Sequence, residues 1–160
     1  IMRLLDVADY PIIVKEVGQG FGYHSLRTLL QLPIQAIDFA ANGGTNFAKL
    51  ELLRSDSAKQ SIYGQLAHVG HSAEDMVNIT NRLLGELGDK VRCQDIIVSG
   101  GIHSFLDGYF LTEKLNTKAI YGQASAFLKQ AMGDYETLHH YVDAQIQGLE
   151  LANAFLKIKE

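Results

Sequence analysis

The sequence predicts an α/β fold, the C-terminal half (strands 5–8) of a TIM (β/α)8 barrel, as one partial barrel domain over residues 1–160 with four β/α units and a C-terminal helix. Three observations carry this expectation. Four short apolar runs are each followed by a glycine-marked segment: Val14-Lys15-Glu16-Val17-Gly18, Gly43-Gly44-Thr45-Asn46-Phe47, Ser99-Gly100-Gly101-Ile102 and Gly122-Gln123-Ala124-Ser125. Helical periodicity follows each of them. The chain has 160 residues, whereas a complete barrel uses about 250. A chain that opens Ile1-Met2 and holds four units is therefore expected to be part of a longer protein.

The first strand is Pro11-Ile12-Ile13-Val14, a β-branched run after a turn residue. Its unbroken apolar character predicts burial on both faces, as in parallel sheets. Gly18, Gly20 and Gly22 predict a flexible loop. Leu26, Leu29 and Leu30 then share one face of a helix over 25–31, which Pro33 ends. Ala36-Ile37-Asp38-Phe39 is the second strand and 40–45 its loop. Phe47, Leu50 and Leu53 predict a short helix, and 55–61 reads as a polar surface excursion. Ser72 caps a long helix through Leu87, with Glu74 and Asp75 suited to its positive end. Asp95-Ile96-Ile97-Val98-Ser99 is the third strand, and Ser104 begins the helix after it. Ala119-Ile120-Tyr121 is the fourth strand, with a helical turn or two over 126–132. A long amphipathic helix spans 135–157, its stripe formed by Leu138, Val142, Ile146, Leu149, Asn153 and Leu156.

Composition bounds the function classes. The hydrophobic share of 47 % and charged share of 20 % are those of a folded domain. A net charge of −4 gives no footprint for nucleic acid. The sequence contains no membrane-length apolar run and no visible signal peptide. The single cysteine, Cys93, forms no internal disulfide and reads as structural. A cytoplasmic protein without membrane association is the expectation.

The chemistry concentrates at the strand ends. Lys15 closes the first strand, where catalytic groups project in parallel barrels, and an ammonium there can stabilise a negative ligand. The competing reading is a surface lysine paired with Glu16. Gly43-Gly44-Thr45 lets backbone approach a ligand, and Thr45 adds a hydroxyl. Ser99-Gly100-Gly101-Ile102-His103-Ser104 joins a strand to a helix start, a geometry that suits phosphate, and Gly122-Gln123-Ala124-Ser125 supplies a second such loop. Lysine and late glycine loops together point to a flavin phosphate site. His68 and His71 have no third metal ligand at convincing spacing, and His139-His140 point to different helix faces, so no metal site is assigned.

Through VKEVGQG, AIDFAANGGTNFAKLE, IIVSGGIHSFLDG and AIYGQASAFL the chain resembles the C-terminal half of type 2 isopentenyl-diphosphate isomerases. The resemblance implies an FMN-dependent enzyme of isoprenoid biosynthesis that interconverts isopentenyl and dimethylallyl diphosphate. Reduced FMN is its acid–base agent, NADPH its reductant, and Mg2+ holds the substrate diphosphate. By matching position, Lys15 would contact the flavin ring and Thr45 the flavin. Gly101, Ile102, His103, Ala124 and Ser125 would bind the FMN phosphate. His103 stands where the family often has arginine, and histidine is only partly charged near neutral pH. The family's glutamine and glutamate for substrate and magnesium precede VKEVG, so no residue here is assigned the catalytic step and activity of this chain alone is not expected. The resemblance also implies a small isoprenoid diphosphate as partner, and a homo-oligomer is expected. The alternatives are another FMN-dependent barrel oxidoreductase, or a non-catalytic half-barrel that binds phosphate.

Overall fold

The structure is a computed structural model that describes residues 1–159. Its centre is a four-stranded, all-parallel sheet of β1 (Ile13–Lys15), β2 (Ala36–Asp38), β3 (Asp95–Ser99) and β4 (Lys118–Gly122). Strand order in space follows order in sequence. Helices alternate with the strands: α1 (Met2–Leu5), α2 (Tyr23–Leu30), α3 (Phe47–Leu53), α4 (Ser57–Tyr63), α5 (Ala73–Leu87), α6 (Phe105–Lys114), α7 (Ser125–Ala131) and α8 (Tyr135–Phe155). The four strands do not close into a ring, and β1 and β4 each end the sheet.

The register sorts side chains between two unlike faces. Val14, Ile37, Ile96 and Ala119 form one row across the sheet. With Val98 they pack against Leu26, Leu30, Met76, Leu83 and Leu111 from α2, α5 and α6. Same-handed crossovers between successive parallel strands bring those helices to this single face. Rows on either side of it hold Ile13, Ala36, Asp95 and Lys118, and then Lys15, Asp38, Ile97 and Ile120. They point to the opposite face, where Ile13 is 54 % and Ile120 64 % exposed. The expectation that β1 is buried on both faces therefore fails: on this face the chain buries Ala36 and Asp38 of β2 but leaves the flanking β1 and β4 positions open.

Several local features differ from the sequence expectation. The loop after β1 is pinned rather than free: one Glu16 carboxylate oxygen accepts from the backbone N–H groups of Gly18, Gln19 and Gly20 at 2.7–2.9 Å. The polar excursion folds as α4, whose first turn is capped by the Asp56 side chain accepting from the Lys59 amide, followed by a 3-10 turn at Gly64–His68. In α8 the buried positions are Gly148 and Ala152, while Ile146 is half exposed. The buried stripe is thus rotated by about one residue from the apolar one. Gly148 explains the rotation, since a Cβ there would lie 2.6 Å from the Phe105 ring that packs against it.

Candidate functional site

The carboxyl ends of β1, β2 and β3 are tied together by one carboxylate. Asp38 Oδ2 accepts from the Lys15 ammonium, and its Oδ1 accepts from the Ser99 hydroxyl. The Ala40 amide donates to Asp38 Oδ1 at 3.2 Å and to Ser99 Oγ at 3.0 Å. The Asp38 side chain is 11 % exposed, that of Lys15 59 %. The alternative pairing of Lys15 with Glu16 does not occur; Glu16 is committed to its own loop.

The loops above these strand ends touch through their backbones. Gly100 has φ +92°, and a Cβ on it would stand 2.0 Å from the Ala41 carbonyl oxygen. Gly43, at φ +104°, would place a Cβ 2.7 Å from the Gly101 Cα. Glycine here brings loop against loop, so the bare face of Gly43 meets the chain itself rather than a ligand.

Around this frame lies a cleft of about 720 Å3, within the size range of ligand and cofactor sites. Loops from all four strand ends line it: Lys15 to Gly18, Gly43 to Thr45 with Phe47, Ser99 to Ile102, and Gly122 to Ser125 with Leu128. Lys15, Thr45, Gly101, Ile102, Ala124 and Ser125 are brought together on this one surface. His103 is not among the lining residues. Its amide donates to Asp107 Oδ2 at 3.1 Å, and its carbonyl accepts from Gln123 Nε2 at 2.7 Å. Among the described residues the N–H groups of Gly101, Ile102 and Ala124 donate to no other group of the chain. The cleft-lining N–H groups of Val17, Gly43, Gly44, Thr45, Gly100, Gln123 and Ser125 are open donors as well.

Asp38 and Phe47 enter the site without having been assigned to it from the sequence: Asp38 holds Lys15, and Phe47 adds an apolar wall. Ser99 and Gln123, inside the loops read as phosphate sites, take structural parts instead, Ser99 anchoring Asp38 and Gln123 linking the β3 and β4 loops. Asp38 had a visible signal: a lone carboxylate inside an apolar strand run is as conspicuous as Lys15. Away from the cleft, Cys93 is fully buried and burial pushes its thiol up, which fits a structural role. Among the described residues no three His, Cys, Asp or Glu side chains converge as metal ligands. Among the described residues no helix is long and apolar enough to cross a membrane.

The chain is an α/β protein whose open parallel sheet carries a cleft at its strand ends, the place where parallel α/β folds keep their ligand sites. The chain is similar to proteins named isopentenyl-diphosphate delta-isomerase. With that of Rickettsia felis it is 28 % identical over 153 residues, 94 % of this chain and 41 % of the relative. With that of Ignicoccus hospitalis it is 28 % identical over 150 residues, 93 % of this chain and 40 % of the relative. With that of Rickettsia prowazekii the identity is 29 % over 133 residues, 82 % of this chain and 36 % of the relative. These are distant homologies, and the chain spans about two fifths of the length of the relatives it matches. No protein-family model matches the chain.

Proposed function

We propose that this chain is the FMN-holding part, strands 5–8, of a type 2 isopentenyl-diphosphate isomerase barrel. The observation that carries the reading is the cleft itself. Six of the seven residues that the resemblance assigns to flavin line it, over a chain similar to such isomerases along most of its length.

The residues present fit the group. The unpartnered amides of Gly101, Ile102 and Ala124 form a cradle for a phosphate on the β3 and β4 side. Thr45 supplies a hydroxyl near the middle, and Lys15 an ammonium on the β1 side. Phe47 and Leu128 offer apolar surface to a ring. When bound, reduced FMN supplies the acid–base chemistry of the allylic shift between isopentenyl and dimethylallyl diphosphate. Lys15 would direct an N–H donor at the ring, a hydrogen bond that strengthens as the ring gains negative charge, and the loop amides would hold the phosphate end.

NADPH as reductant, Mg2+ on the substrate diphosphate, a homo-oligomeric assembly and a cytoplasmic setting belong to the same proposal. The test compares FMN with riboflavin, which lacks the phosphate. Quenching of FMN fluorescence on titration with protein, with riboflavin bound at least about tenfold more weakly, supports the reading, a factor equal to about 1.4 kcal/mol. Equal binding of the two, or none, rejects it.

A further inference from the structure

Lys15 is not a free cation in the cleft. Its ammonium is paired with Asp38, and Asp38 is itself anchored through Oδ1 by the Ser99 hydroxyl and the Ala40 amide. Ala40 is the one non-glycine residue with positive φ among the described residues, at +40°. A strained backbone held in place by the same carboxylate marks a position that the surroundings over-determine. Three consecutive strand ends thus converge on Asp38, and the group they deliver to the cleft is the Lys15 ammonium.

We infer that Asp38 is a positioning residue that decides which part of a phosphate-bearing ligand meets Lys15. An unpaired ammonium at the cleft floor attracts a phosphate as the glycine loops do, and a ligand could then bind in either direction. Paired with Asp38, Lys15 keeps its N–H donors in a fixed direction but carries little net charge into the cleft. That arrangement suits the carbonyl edge of a ring and disfavours a dianion. The phosphate is left to the β3 and β4 loops, where the amides of Gly101, Ile102 and Ala124 have no acceptor within the chain. The inference deepens the flavin reading by assigning the ligand's orientation, yet its premise concerns only Lys15, Asp38 and an anion.

The test therefore uses no flavin. The folded chain is acylated with an amine-reactive ester, and modification of Lys15 and Lys118 is followed by peptide mass spectrometry with and without inorganic phosphate. In the wild type, phosphate leaves the Lys15 rate unchanged. Asp38→Asn is expected to speed Lys15 acylation roughly fivefold, the factor given by an ion pair of about 1 kcal/mol. In that variant phosphate should protect Lys15, while Lys118 reacts at the same rate throughout. Ser99→Ala keeps the carboxylate but removes one anchor, and should show the same two changes in smaller measure if Asp38→Asn does not fold. A Lys15 rate indifferent to these substitutions overturns the inference, as does phosphate protection of Lys15 equal in wild type and variant. Failure of FMN to bind in the titration described above would reject the flavin reading without altering either result.

Discussion

Lys15, Asp38 and Gly100 show how much depends on single residues at the strand ends. Lys15 was legible because a charge inside an apolar run is conspicuous, and its place in the cleft follows from the strand it ends. Its partner was not legible, since pairing across β1 and β2 depends on the sheet register and the nearer Glu16 seemed available. In the flavin reading, Lys15→Met should lower the reduction potential of bound FMN by tens of mV, because about 30 mV in a two-electron couple equals about 1.4 kcal/mol. Spectroelectrochemistry measures this, and an unchanged potential would remove Lys15 from the ring. Gly100→Ala is a test of the frame. A Cβ 2.0 Å from the Ala41 carbonyl oxygen at φ +92° should cost more than about 2 kcal/mol in a denaturant melt. A loss below about 0.5 kcal/mol would mean that the loops after β2 and β3 do not touch as described.

At the scale of elements, the strong signals held. Helix α5 is capped by Ser72 and α6 by Ser104, each with a reciprocal capping box, to Asp75 and Asp107 respectively. Strand β3 runs over the residues its β-branched pattern marks. What failed was governed by contacts between elements. The polar run before Tyr63 gave no apolar stripe, yet Asp56 caps it into α4. The stripe of α8 was misplaced because glycine and alanine, not the large apolar residues, set the closest approach. Ser72→Ala should destabilise the chain by about 1 kcal/mol in thermal or urea unfolding. The same cap has a pH signature. The Ser72 hydroxyl, then the Ser72 amide, hold the Asp75 carboxyl below its ordinary 3.8. A depressed carboxyl contributes stability that is complete above its ordinary value and is lost as pH falls through the depressed one. The unfolding temperature should therefore drop on acidification below about pH 4, and Asp75→Asn should drop less over that window. An equal acid slope in both would show that the cap carries none of the dependence.

The whole molecule is an open sheet with two unequally covered faces. Sequential strand order and parallel pairing follow from the repeated strand–loop–helix pattern, and both were legible. The unequal burial of the two faces was not legible, since apolar runs such as 11–14 look alike whether one or both faces are covered. Ile13 and Ile120 lie exposed on the less covered face, and β1 and β4 present unpaired edges. Such edges and patches favour pairing with another chain. Light scattering over a dilution series should show association that weakens as the protein is diluted; a monomer throughout would mean that this face needs no partner.

In the flavin reading one cleft at the strand ends holds FMN with its phosphate against the β3 and β4 loops. Amide NMR of the 15N-labelled chain tests it most directly, by adding FMN and following each backbone N–H. The largest shifts are expected at Gly101, Ile102, Ala124 and Ser125, with smaller ones at Lys15 and Thr45. The His103 amide, already donating to Asp107, should shift least within that loop. Shifts centred instead on the smaller hollow of Lys49, Gln60 and His68, or none at all, would contradict it.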